Sequence, residues 1–149
     1  MNRRYGEAVR PGQKYRRRPG IYAVCLDGDA LLTTYQESPL PEYQLPGGGI
    51  DPGEQPIAAL HREVFEETGW RVQIQRRIGT YRRFAYMPEY DLWAEKICTV
   101  YLARPALRLG PPTEPGHTPI WTGVDEAIGL LDNEGDRAML IRALRYATG

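Results

Sequence analysis

Residues 48–70 read G-G-I-D-P-G-E-Q-P-I-A-A-L-H-R-E-V-F-E-E-T-G-W, which sets glutamates and an arginine at fixed distances from a glycine turn. Glu54 comes first, then Arg62 and Glu63, then Glu66 and Glu67, with Gly69 and Trp70 closing the run. Carboxylates held close together repel and raise one another's pKa unless a positive charge sits among them. A hard divalent cation is the natural resident. Mg²⁺ fits because it takes a few carboxylate oxygens and leaves positions for phosphates, and Mn²⁺ is able to substitute. Upstream, Gly47, Gly48 and Gly49 let main-chain atoms approach a ligand closely. The chemistry expected here is metal-assisted and acts on phosphate.

A helix must position these groups. Pro56 suits a first helical turn and Gly69 a C-terminal stop. On a wheel at about 100° per residue with Ile57 at zero, Leu60 and Val64 fall within about 60° and Phe65 at about 80°. That is the expected buried face. Glu63, Glu66 and Glu67 fall at about 240°, 180° and 280°, one arc flanking the apolar face. Arg62 beside them offers a bidentate partner that offsets charge without occupying a metal position.

The spacing Gly48, Glu54, Arg62-Glu63-Val64, Glu66-Glu67, Gly69 and a hydrophobic residue resembles the Nudix box. Each feature alone is commonplace, but the joint pattern has a chance probability below about 10⁻⁸ at a given start. Trp70 stands where the family usually places an aliphatic residue. The resemblance implies an α+β fold, a Nudix-type α/β/α sandwich with a mixed β-sheet, in which the box forms a loop, a helix and a loop. It implies that Glu63, Glu66, Glu67 and the Gly47 carbonyl serve the metal, and that Arg62 pairs with Glu54 and fixes Glu63. Gly48, Glu54 and Gly69 are then structural. The implied activity is a Mg²⁺-dependent hydrolase acting on phosphorus-containing anhydrides, a pyrophosphatase in which water attacks a diphosphate linkage.

Such a reaction needs a general base, supplied in some family members by a box glutamate and in others by a later loop. Glu114 is the only acid of the loop 110–119 and is the candidate base; His117 is the other titratable group there, and Glu95 a weaker candidate. The substrate is read outside the box. Tyr81, Phe84, Tyr86 and Tyr90 lie among Arg82 and Arg83, an arrangement suited to holding a base and phosphates together. Arg82, Arg83 and Tyr86 are the candidate substrate-binding residues, and Tyr86 lies where dinucleoside-polyphosphate members of the family tend to carry a tyrosine. Nucleoside triphosphates, dinucleoside polyphosphates and ADP-ribose stay open as small-molecule nucleotide substrates. An RNA 5′ end is the alternative, and a non-catalytic nucleotide-binding regulatory module is a second one, which the retained carboxylates disfavour.

The 149 residues suit one domain, read as a basic N-terminal segment at 1–17 followed by a hydrolase domain at 18–149. Net charge is zero, yet residues 1–20 carry seven arginines and lysines against Glu7 alone. That run reads as a solvated face or tail, or as an attractor of polyphosphate or RNA. Apolar runs are too short to span a membrane and no secretory signal is apparent. Cys25 and Cys98, without C-x-x-C or histidine spacing, are expected to be buried reduced thiols in a cytoplasmic protein.

Further elements follow from pattern. Residues 21–26 and 30–35 are β-prone and flank Asp27-Gly28-Asp29, a hairpin signal. Val72 and Ile74 suggest one strand, and residues 78–86 and 95–103 two more. Residues 104–119, rich in proline, read as loop. A short strand at 120–122, a helix at 124–131 and a last helix capped by Asp132 complete the expected order.

Overall fold

The computed structural model describes residues 2–147. In chain order it contains β1 (Arg3–Tyr5), β2 (Arg16–Asp27), β3 (Ala30–Gln36), β4 (Glu42–Gln44), β5 (Gly47–Gly49), α1 (Pro56–Thr68), β6 (Trp70–Met87), β7 (Leu92–Arg108), β8 (His117–Gly123), α2 (Val124–Leu130) and α3 (Glu134–Ala147). The strands run in the order β1-β6-β7-β2-β3-β4, with β5 added to β2 and β8 to β3. β1 is parallel to β6 and β2 to β7, whereas β6 and β7 form a long antiparallel hairpin. The sheet is therefore mixed.

Strand alternation sends side chains to two apolar layers. Ile21, Ala23 and Ala103 meet Leu60 and Val64 of α1 on one side. Val24, Tyr81 and Val100 meet Ala127 of α2, Leu131 just after it and Leu140 of α3 on the other. Each fully buried Val or Leu contributes about 1.5–3 kcal/mol relative to exposure. These layers clamp the sheet and make the α+β, α/β/α arrangement.

Several boundaries differ from the sequence expectation. β2 begins at Arg16, not Ile21, because it pairs with β7 from Arg16↔Ala94 to Cys25↔Ala103, and neighbours impose the extended form that Pro19 and Gly20 do not advertise. The strand around Val72 is continuous with the next one, with register shifts between Arg71/Val72, Ile74/Arg76 and Arg77/Gly79. β7 continues to Arg108 and β8 starts at His117, so the proline-rich loop shrinks to 109–116. Asp132 does not cap α3; its Oδ2 accepts the Tyr43 backbone N–H at 2.8 Å, and Asn133 Oδ1 takes the Gly135 N–H at 2.8 Å instead.

The basic N-terminal segment contributes structure. Its arginines at 3, 4, 10, 16 and 17 stay exposed, while Tyr5 packs edge-on against Tyr81 and Tyr15 against Phe84 and Trp93. Both cysteines are buried free thiols. Among the described residues no helix is long and apolar enough to cross a membrane.

Candidate active site

The box folds back on itself because glycines leave room. β5 lies antiparallel on β2 with Ile21 opposite Gly48. A Cβ on Gly48 would stand 2.6 Å from the Glu63 carboxyl carbon, so any other residue would push this carboxylate aside. The Gly47 N–H donates to Glu67 Oε1 at 2.9 Å, tying strand to helix. The buried residues of α1 are Ala59, Leu60, Val64, Glu67 and Thr68, whereas Ile57 is 38% exposed. The helix is thus rotated from the expected orientation, and Glu67 lies within the buried stripe rather than beside it.

Burial pushes the Glu67 carboxyl well above the usual carboxylate range; the Gly47 N–H opposes this, and Glu63, Glu114 and Glu66 add to it. Burial also raises Glu63, against the hydrogen bond and charge of Arg62. Arg62 organises the outer side. Its Nε and Nη2 meet both Glu54 oxygens at 2.7 and 2.9 Å, its Nη1 meets Glu63 Oε1 at 2.9 Å and Glu66 Oε2 at 3.3 Å, and its Nη2 also reaches the Gly49 carbonyl at 3.3 Å. This fork holds the Glu54 carboxyl down to about 2, helped by the Asp51 N–H.

The loop after β7 reaches the same place through the end of α1. Glu66 leaves its carbonyl free of a helical partner, and the Thr113 and Glu114 N–H groups both donate to it at 2.9 Å. Gly69, with φ 76°, ends the helix and passes so close that a Cβ there would lie 1.9 Å from the Gly110 carbonyl oxygen. Glu114 is thereby carried to the box. One carboxylate oxygen each from Glu63, Glu66 and Glu114 lies within 4.8 Å of the others, and Glu67, Glu114 and His117 form a second such group. His117 Nδ1 is 3.7 Å from Glu67 Oε2, and its Nε2 is 3.9 Å from Glu114 Oε2.

The donor set fits a hard divalent cation. Its oxygens converge, and two of its buried atoms, Glu114 Oε2 and His117 Nδ1, have no hydrogen-bond partner among the described residues. Residues able to hold such an ion are Glu63, Glu66, Glu67 and Glu114.

These groups open onto a cleft of about 350 Å³. Gly47, Gly48, Glu63, Glu67, Glu114 and His117 line it where β5 lies on β2, and Arg83 and Tyr86 line it from β6, two strands away in the sheet. Tyr86 leans on the Trp93 ring and donates its hydroxyl hydrogen bond to Asp91. Arg82 stands outside the lining, where it meets Glu95 Oε2 at 3.4 Å and the Asn2 carbonyl at 3.2 Å. Strand alternation separates it from Arg83. Glu95 lies with Arg17 and Arg82, away from the carboxylate cluster. Sequence reasoning missed Arg18, Glu42, Lys96, Asn133 and Asp136, which also line the cleft. Period-two alternation with Cys98 would have put Lys96 on this face, but nothing in its local sequence marks it as exceptional.

Comparison with known proteins gives a consistent family. A model of the NUDIX domain matches residues 16–144. The chain is 32% identical over 74 residues to a putative 8-oxo-dGTP diphosphatase of Bacillus subtilis, covering 50% of each protein. It is 44% identical over 54 residues to an RNA pyrophosphohydrolase of Cereibacter sphaeroides, covering 35% of this chain and 33% of that one. The match therefore spans half or less of the length of these two relatives. Among solved structures, a NUDIX hydrolase from Nitrosomonas europaea superposes with a TM-score of 0.73 at 18% identity, covering 87% of this chain and 90% of that one. This last likeness concerns the fold.

Proposed function

The chain belongs to the NUDIX domain family, and on that footing we propose that it is a Mg²⁺-dependent pyrophosphohydrolase cleaving the diphosphate linkage of a nucleoside diphosphate derivative. The observation that carries this reading is the convergence of Glu63, Glu66 and Glu114 oxygens within 4.8 Å, with Glu63 and Glu114 lining the cleft. When bound there, the ion supplies charge neutralisation for phosphate oxygens and acidifies a water. Everything else falls to the chain's own groups.

Arg62 holds Glu63 and Glu66 in register through its fork. Glu67, tied to the Gly47 N–H, fixes the glycine turn against the helix. Water attacks one phosphorus, a new P–O bond forms, and the bond from that phosphorus to the bridging oxygen breaks. The departing phosphate keeps the electron pair, and the proton of the water passes to Glu114 Oε2, which has no hydrogen-bond partner among the described residues. Arg83 and Tyr86, lining the cleft from β6, hold the substrate. The buried free thiols suit a reducing compartment such as the cytoplasm.

The test is to incubate the purified protein with nucleoside triphosphates, dinucleoside polyphosphates and ADP-ribose in Mg²⁺, Mn²⁺ or EDTA, beside Glu67→Gln. Metal-dependent cleavage that is lost in the variant supports the reading. Tight nucleotide binding without turnover in either metal would favour the regulatory-module alternative.

A second reading, RNA 5′ pyrophosphohydrolase activity, draws on the similarity to the Cereibacter protein and on the exposed arginines at 3, 4 and 10. Because β1 pairs with β6, deletion of the segment would disturb the sheet. Replacing Arg3, Arg4 and Arg10 by Ser is the cleaner test: activity on triphosphorylated RNA should fall much more than activity on free nucleotide, and equal losses would remove the support.

A further inference from the structure

Arg18 of β2, Lys96 of β7 and Arg83 of β6 are direct partners across three adjacent strands, in the registers Arg18↔Lys96 and Arg83↔Lys96. All three line the cleft. Like charges directly opposite one another weaken a sheet, and cations drawn from water cost more still unless paired. Little pairing is present. Arg83 meets Glu42 at 3.5 Å. Arg18 lies over the Tyr90 ring at 4.9 Å, and among the described residues neither Arg18 nor Lys96 has an ion pair or a side-chain hydrogen bond. Burial and then Arg83 press the Lys96 ammonium below its ordinary pKa, against weaker pulls from Cys98, Glu42 and Glu89. Asp136, which also lines the cleft, is already taken by the Tyr81 hydroxyl at 2.8 Å and the Leu45 N–H at 3.3 Å.

The row is separate from the carboxylate cluster. Gly20 pairs with Gly49 in the box, and Arg18 stands two residues back along β2, about 7 Å at strand rise. A phosphate attacked at the carboxylates does not satisfy the row as well. We propose that Arg18, Lys96 and Arg83 form a second anion subsite that binds a further phosphate of the substrate, and so select a polyphosphate chain over a diphosphate whose second group is a neutral sugar. This deepens the proposed function and rests on it for the identity of the substrate.

The test does not require turnover. Inorganic tripolyphosphate is titrated calorimetrically in EDTA against wild type, Lys96→Met, Lys96→Arg and Arg17→Met, with thermal melts to verify folding. Arg17 is exposed, bridges to Glu95 and does not line the cleft, so its loss controls for net charge. Lys96→Met should weaken binding at least about 10-fold, the scale of a charge-assisted hydrogen bond. Lys96→Arg and Arg17→Met should stay within about 3-fold of wild type on the same scale. No binding by wild type, no loss in Lys96→Met, or an equal loss in Arg17→Met overturns the subsite. Tripolyphosphate binding with the expected pattern but no metal-dependent hydrolysis would keep the subsite and defeat the proposed function. Hydrolysis without that pattern would do the reverse.

Discussion

The two ends of the cleft are built in opposite ways. At the carboxylate end, Arg62, Glu63, Glu66 and Glu67 come from two turns of α1, and a single carbonyl, that of Glu66, draws Glu114 to them. At the cationic end, Arg18, Lys96 and Arg83 come from three strands far apart in sequence and meet only through sheet register. The first end is local and over-determined, with Arg62 joining several carboxylates. The second is assembled by topology and holds its charges in near isolation. A carboxylate cluster can thus be written on one helix, while a cationic row is distributed over the fold.

Substitutions can break or sharpen this contrast. Glu63→Gln removes one of the converging oxygens, so kcat in Mg²⁺ should fall by more than about 100-fold, the scale at which even outer partners of a metal matter, while tripolyphosphate binding in EDTA persists. Loss of both together, measured by initial rates and calorimetry, would mean that the ends are not separable. Gly69→Ala attacks the link between helix and loop. With φ at 76° and the Gly110 carbonyl oxygen 1.9 Å from the new Cβ, stability should drop by more than about 1 kcal/mol in denaturant titration, and activity should fall as Glu114 is displaced.

Smaller effects belong to the periphery. Tyr86→Ala removes a stacking surface at the cationic end, so KM should rise about 10-fold with kcat little changed. A fall in kcat alone would place Tyr86 with the chemistry instead. Glu54→Gln tests the Arg62 fork. The Glu54 carboxyl is held down to about 2 from an ordinary 4.5, so its stabilising effect is fully present above pH 4.5 and disappears as pH falls toward 2. The melting temperature of wild type should exceed that of the variant above pH 4.5, and the two should converge near pH 2. A constant difference across that range would detach Glu54 from the fork.

The same contrast decides what was legible in the sequence. The box is contiguous, so residue type and spacing were enough to read the helix, its glycine stop and its carboxylates. Glu114 was readable as the only acid of its loop, but not the two N–H groups on Glu66 that deliver it. The wheel placed Glu67 beside the apolar face, since polarity argues against burial; the structure buries it because the Gly47 N–H waits there. Arg82 and Arg83 looked equivalent, and only the pleat separates the one beside Glu95 from the one in the cleft. Lys96 carried no local signal, because its meaning lies in Arg18 and Arg83, which register alone brings alongside.

The most direct measurement is Mn²⁺ binding, followed by loss of the free-ion electron paramagnetic resonance signal on titration of wild type and Glu63→Gln without nucleotide. Specific, saturable binding in wild type, weakened at least about 10-fold in the variant, is the expected result if Glu63, Glu66 and Glu114 form one cation site. Equal binding by both proteins, or none by either, would contradict it.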